Sequence, residues 1–413
     1  MSQESNLLQK TPSYVETLLA THRPGYSLAQ PFYSNEEVFE AELKSIWHKQ
    51  WIFAGLSCEI PDAGAWFKVD LGKASAVIVR GHDGAVRAFH NTCRHRGSRI
   101  CLAEKGRSRN LTCPYHQWTY DSQGKLIFAK EMGDDFDKGE HSLKSINVEE
   151  VGGYLFICLS DNPPPFEEFR TSVLPYLARH DLADAKVAFE STIIEKANWK
   201  LVIENNRECY HCGGSHPELL KTIAEVEDTS DPKCSPAYVE KAQNDEQRWN
   251  EQGLPYSLTK NVEQGWQIVR VPMARGLSFT MDGQPASSRL MGVLPDFDVG
   301  SVRLLHFPNT WNHALGDHAL AFRVLPIDAQ TTAVTTKWLV HKDAVEGQDY
   351  DLDKLTKVWS ATNDQDRTLA ENNQLGINSP GYQPGPYSDS FEYGVLAFIE
   401  WYLQAMREGN GDV

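Results

Sequence analysis

Apolar and polar residues alternate in short runs between about Trp51 and Ser160, as in AWFKVDL, SAVIVRG, VRAFHNT and GYLFICLS. A period of two marks a half-buried strand, and Asp83-Gly84 and Gln123-Gly124 supply turn signals between the runs. The stretch therefore predicts a compact antiparallel β domain, ended by the proline-rich DNPPPFEEF. Ahead of it, Ser34-Asn35-Glu36-Glu37 reads as a capping box opening a helix with Val38, Phe39, Leu43, Ile46 and Trp47 on its apolar face. After about residue 165 the periods mix. ANWKLVIENNRECYHC and DLDKLTKVWSATNDQDRTLAENNQL read as helices, and VRLLHFPNTW and TAVTTKWLVH as strands. The polar segment from about 225 to 262 reads as an excursion over the surface. The expected fold class is α+β: residues 1–49 form a helical part, 50–160 an inserted antiparallel β domain, and 161–413 a large α+β domain.

Composition adds limits. Of the 413 residues 41% are apolar and 23% charged, as in an ordinary globular protein. The first thirty residues show no secretory signal, and no apolar run approaches the roughly 18 residues that span a bilayer. Eight cysteines do not suggest a disulfide framework and fit a reducing compartment, so a cytoplasmic location is expected. A net charge of −16 argues against a nucleic-acid partner and suits a cationic small substrate or a basic protein partner.

Two constellations carry the chemistry. Within NTCRHRGSRICLAEKGRSRNLTCPYHQW, Cys93 and His95 form C-x-H, and Cys113 and His116 form C-x-x-H. A structural zinc favours like residues within each pair, whereas a Rieske [2Fe–2S] centre needs two thiolates on one iron and two imidazoles on the other. Gly97 would allow a close backbone approach and Pro114 would stiffen the second loop, while Cys101 falls outside the pattern and reads as packing.

The second constellation lies in NWKLVIENNRECYHCGGSHPEL. On a continuous helix Glu204, Glu208 and His211 share a face, and Gly213-Gly214 would end it so that His216 folds back to His211. Cys209 and Cys212 read as helix packing. A 2-His-1-carboxylate site needs a third ligand. Leu352, Leu355, Trp359, Thr362, Asp366 and Leu369 follow a 3-4 spacing, placing Asp366 on a buried stripe and Asp364 on nearly the opposite side. A carboxylate on an apolar stripe needs a partner, which makes Asp366 the expected ligand.

These residues, with ENNRECYHCGGSHPELLKT and ATNDQDRTLAENNQLGINS, resemble the α subunits of Rieske non-heme iron oxygenases over nearly the whole chain. The branch they resemble most demethylates quaternary ammonium compounds. The resemblance implies a Rieske domain inserted in a helix-grip catalytic domain, a homotrimer, and an NADH-dependent flavin and iron–sulfur reductase as partner. It assigns the cluster to Cys93, His95, Cys113 and His116, mononuclear Fe(II) to His211, His216 and Asp366, and a bridging carboxylate to Glu208. Ring-hydroxylating relatives usually carry Asp at that last position. The implied activity is N-demethylation of glycine betaine to N,N-dimethylglycine and formaldehyde with O2. Alternatives are another quaternary substrate (proline betaine or carnitine), ring hydroxylation, or electron transfer alone. A quaternary cation needs aromatic faces, for which Trp266, Phe279, Phe307, Trp311 and Trp338 are candidates. A donor for the substrate carboxylate stays unassigned.

Overall fold

The structure, a computed structural model, describes residues 13–410. Ten short strands fill the first half: β1 (Ile52–Leu56), β2 (Ala65–Leu71), β3 (Ala74–Arg80), β4 (Val86–His90), β5 (Lys105–Arg107), β6 (Leu111–Thr112), β7 (Thr119–Tyr120), β8 (Leu126–Phe128), β9 (Ser145–Val151) and β10 (Tyr154–Cys158). Seven of them form one antiparallel sheet in the order β1-β10-β9-β4-β3-β2-β5, and β6-β7-β8 form a small separate one. The second half holds another seven-stranded antiparallel sheet. It comprises β11 (Lys186–Glu195), β12 (Thr259–Asn261), β13 (Trp266–Val271), β14 (Ser301–His306), β15 (Thr310–Ala314), β16 (Ala319–Asp328) and β17 (Thr331–Val340), ordered β11-β17-β16-β15-β14-β13-β12. One face of this second sheet packs against the helix Leu352–Ile377, with Leu355, Val358 and Trp359 in a shared core with Phe322 and Trp338.

Polar contacts fix the two sheets to each other. The Asn309 side chain accepts from Phe53 N and donates to Phe53 O, both at 2.9 Å. Lys337 on β17 is paired with Glu59, and Arg323 on β16 donates to Ala54 O. These groups are largely buried, so each needs its partner to offset desolvation.

Several local expectations change. The helix after residue 35 runs Glu36–Glu42 and widens into a π-turn over Leu43–Trp47. Its cap is Asn35, whose side chain accepts from Glu37 N and Val38 N; Ser34 ends the preceding turn, so no capping box forms. All five expected apolar residues are nevertheless buried. VRLLHFPNTW is a hairpin, with β14 and β15 joined through Phe307-Pro308-Asn309. The polar segment contains the helix Pro236–Glu251, capped by Ser235 and holding Tyr238, Ala242, Asp245 and Trp249 in the interior. Those four follow helical 3-4 spacing, but one of them is Asp245 and the stretch around them is polar, so the apolar stripe is interrupted.

Candidate metal centres

The first pair of ligand-type residues lies in the loop after β4, the second between β6 and β7. The two loops have the same backbone pattern. Cys93 N donates to Ser98 O and Gly97 N to Cys93 O; Cys113 N donates to Trp118 O and Gln117 N to Cys113 O. Four residues after each cysteine the chain turns left-handed, at Gly97 (φ 79°) and Gln117 (φ 61°). Among the described residues no atom lies within 4 Å of a Cβ built on Gly97, so it is the left-handed backbone that favours glycine there. Cys93 and Cys113 are buried, while His95 and His116 sit toward the rim with ring centroids 4.7 Å apart. The indole of Trp118 stacks on His95 at 4.8 Å, and Tyr115 stacks on His116 at 3.8 Å. Tyr120 Oη accepts from Arg94 N at 3.0 Å and lies 3.4 Å from Cys93 Sγ. Two buried thiols behind two outward imidazoles are the donor set that would hold a mixed-ligand [2Fe–2S] centre. Cys101 packs in the same core.

The second group depends on how the helix Trp199–Asn206 is anchored. Asn198 caps it, accepting from Lys200 N at 3.0 Å and donating to Ala329 O at 2.6 Å. Buried Glu42 takes hydrogen bonds from Trp199 Nε1, Lys200 Nζ and Tyr402 Oη. Glu204 accepts from Tyr33 and Tyr387 hydroxyls, both at 2.9 Å, and so belongs to this anchor and not to the metal group.

The helix stops at Asn206, correcting the expected continuous helix through His211. Glu208 and His211 instead share a tight turn. The Glu208 carboxylate accepts from Tyr210 N and His211 N, and its Oε1 lies 2.5 Å from His211 Nδ1. Gly213-Gly214 do not end a helix but lie inside a one-turn helix, Cys212–Ser215, flanked by His211 and His216. The two histidines still meet, with Nε2 atoms 2.9 Å apart. Cys209 and Cys212 form a disulfide across the turn, Cα atoms 4.9 Å apart, which corrects the reading of both as helix packing.

Asp366 arrives from the helix Leu352–Ile377. Its Oδ1 lies 3.0 Å from His216 Nε2 and 3.4 Å from His211 Nε2. That oxygen is buried without a hydrogen-bond partner among the described residues, although it is close to both nitrogens. Asp364 points to solvent, paired with Arg367. The other ring nitrogen of each histidine is held by an acceptor: His211 Nδ1 by Glu208 and His216 Nδ1 by Gln365 Oε1 at 2.8 Å. Gln365 is in turn oriented by donating to Glu218 at 2.8 Å. Burial lowers the His211 pKa, yet Asp366 and Glu208 outweigh it and raise it to about 9. Two oriented Nε2 atoms and an orphaned carboxylate oxygen are the donor set and outer support a divalent iron requires. The sequence missed Gln365, although it directly precedes Asp366.

Residues 182–408 match the ring hydroxylating alpha subunit (catalytic domain) family, and residues 50–144 the Rieske [2Fe-2S] domain. The glycine betaine monooxygenase oxygenase subunit of Chromohalobacter salexigens is 52% identical over 391 residues, 94% of this chain and 88% of that protein. The chain belongs to the Rieske non-heme iron oxygenase α subunits. The Pseudomonas aeruginosa PAO1 protein of the same name is 51% identical, covering 96% of this chain and 92% of its own. The crystal structure of a quaternary ammonium Rieske monooxygenase shares the fold at 24% identity, with a TM-score of 0.72 over 96% of this chain and 99% of that one. As an oxygenase of this family the chain carries a Rieske cluster and a mononuclear iron. None of its described helices is long and apolar enough to cross a membrane.

The expected aromatic candidates of this oxygenase separate. Trp266 packs with Phe169, and Phe307 with Phe398 and Trp401, both in other cores. Phe279, Trp311 and Trp338 lie in or against the cluster that holds Trp359 and Leu219, three residues after His216.

Proposed function

We propose that this oxygenase removes one N-methyl group from glycine betaine, giving N,N-dimethylglycine and formaldehyde. The observation that carries the reading is 52% identity across 94% of the chain to a glycine betaine monooxygenase oxygenase subunit. The net reaction consumes betaine, O2, NADH and a proton, and yields dimethylglycine, formaldehyde, water and NAD+.

Cys93, His95, Cys113 and His116 would hold the cluster, and His211, His216 and Asp366 the iron. When bound, the two groups supply single electrons and dioxygen activation respectively. The protein's own part is positioning. Glu208 and Gln365 fix the imidazole orientations through their Nδ1 atoms, supported by the 2.5 Å and 2.8 Å contacts. An N-hydroxymethyl ammonium expels a neutral tertiary amine on its own, so C–N cleavage needs no protein acid or base. The glutamate at 208, where ring hydroxylases usually carry aspartate, also favours the quaternary-amine branch.

The same reading includes a cytoplasmic homotrimer served by an NADH-dependent flavin and [2Fe–2S] reductase. Its division at 1–49, 50–160 and 161–413 is supported by β9 and β10, which lie beyond residue 144 yet hydrogen-bond into the first sheet. The test is a formaldehyde-release screen with a reductase over glycine betaine, proline betaine, carnitine, choline and an arene. Formaldehyde equal to O2 and NADH consumed, with glycine betaine fastest, is the expected result. Equal or better turnover of choline or the arene overturns it.

A further inference from the structure

The reading above needs an anchor for the substrate's carboxylate. We propose that Arg303 and His313, paired across β14 and β15, are that anchor, and that Glu227 occupies it until a zwitterionic quaternary ammonium arrives. The inference rests on the proposed substrate class and adds the residues that select it.

Arg303 on β14 pairs directly with His313 on β15, so their side chains share one sheet face. On that face His313 meets Trp359 at 5.0 Å and Phe279 at 5.3 Å, and Trp359 also meets Phe322 at 5.0 Å. Trp359 stands seven residues before Asp366, close to two helical turns, and so on the same helix face. A second connection runs through the chain after His216. A Cβ on Gly213, between the two histidines, would lie 2.8 Å from Glu225 Oε1, so this segment folds back over the metal turn. Two residues later Glu227 grips both terminal nitrogens of Arg303, with Nη2–Oε1 at 2.7 Å. The Arg303–His313 pair is thus tied to the metal group from both the helix and the loop.

Its chemistry suits a short zwitterion. Aromatic faces attract a trimethylammonium, which offers no hydrogen-bond donor, while a guanidinium fork takes a carboxylate through two parallel bonds. Arg303 Nε, His313 Nδ1 and Trp359 Nε1 are all buried with no hydrogen-bond partner among the described residues. A buried polar group left without a partner costs about 1–3 kcal/mol, so a ligand that supplied partners to these three would offset that cost. His313 is 8% exposed. Burial first, then Arg303 and His318, hold its pKa well below the usual value, so the ring is neutral and does not repel a cation. In glycine betaine one methylene separates cation from carboxylate, so their sites must adjoin, and His313 adjoins both. The Arg303–Glu227 pair is only partly buried, its side chains 24% and 19% exposed. Exchange of Glu227 for the substrate carboxylate therefore conserves charge and returns Glu227 to water.

Titration calorimetry on the iron- and cluster-loaded oxygenase tests this, comparing glycine betaine with betaine amide, its uncharged-carboxamide analogue. Arg303→Gln should raise the Kd for glycine betaine about thirtyfold or more and that for betaine amide less than about threefold. Glu227→Gln should lower the glycine betaine Kd several-fold, because a competing carboxylate has gone. An equal shift for both ligands in Arg303→Gln, or unchanged or weaker betaine binding in Glu227→Gln, overturns the anchor. If Arg303→Gln loses its metals, Glu227→Gln alone decides. A wild-type protein that neither binds nor demethylates glycine betaine defeats the functional reading instead, since the anchor is tested only where betaine binds.

Discussion

Asp366 and Asp364 differ by two positions and by about 200° around the same helix. The first brings a buried carboxylate oxygen against two imidazoles; the second is 66% exposed beside Arg367. Asp366→Ala should lower iron from about three to about two per chain. It should abolish turnover and leave the cluster's visible spectrum intact. Asp364→Ala removes a surface ion pair worth no more than about 1 kcal/mol, so both metals and activity should survive. Metal analysis with a visible spectrum on each variant separates the two, and the opposite pattern would reject the ligand assignment.

Among elements, the short helix Trp199–Asn206 determines where the metal turn begins, and Glu204 is one of its fastenings. Burial, only partly opposed by the Tyr33 and Tyr387 hydroxyls and by Lys200, pushes the Glu204 carboxyl up to about 7 from 4.5. The folded chain then holds a proton that the unfolded chain has released between those values. Stability from this group is therefore lost as pH rises from about 4.5 to 7, by about 3 kcal/mol in all. Glutamine cannot ionise and still accepts from one tyrosine. The melting temperature of Glu204→Gln relative to wild type should climb between pH 5 and pH 8 and then level off. A difference independent of pH would show that Glu204 is ionised throughout.

At the scale of the molecule, Glu208 bears on the proposed trimer. It holds His211 from outside the iron group, and its neighbour Tyr210 is 61% exposed and stacked on Phe391. In the first half of the chain His116 lies near the surface, with the 57% exposed Tyr115 stacked on it. In the proposed trimer Glu208 accepts from His116 of the partner subunit. A head-to-tail contact of this kind closes into a ring. Glu208→Ala should keep both metals and lose nearly all turnover. A His116→Ala chain co-assembled with a His211→Ala chain should recover partial activity, because some interfaces then pair an intact cluster with an intact iron. Mixed trimers of verified composition that stay as inactive as either parent would place electron transfer within one chain.

What the sequence determined by itself was ligand chemistry and regular structure. Cysteine and histidine in each of two pairs point to a mixed-ligand cluster, and the strand at 65–71 and the helix at 352–377 follow from periods that local backbone geometry imposes. The Asp366 face was legible for the same reason. Irregular segments were not. The helix ends at Asn206, Glu208 folds onto its own turn, and Cys209 bonds Cys212, and the contacts that hold the preceding helix come from Glu42, Tyr33 and Tyr387, distant in sequence. Nor does periodicity tell which buried aromatic meets which. Trp266 and Phe307 were as good candidates as Phe279, yet only strand order and the crossing of a helix over β15 and β16 gather Phe279, His313, Phe322 and Trp359 into one cluster. A repeat along the chain records that a side chain is turned inward; what it meets there is decided by elements far away in sequence.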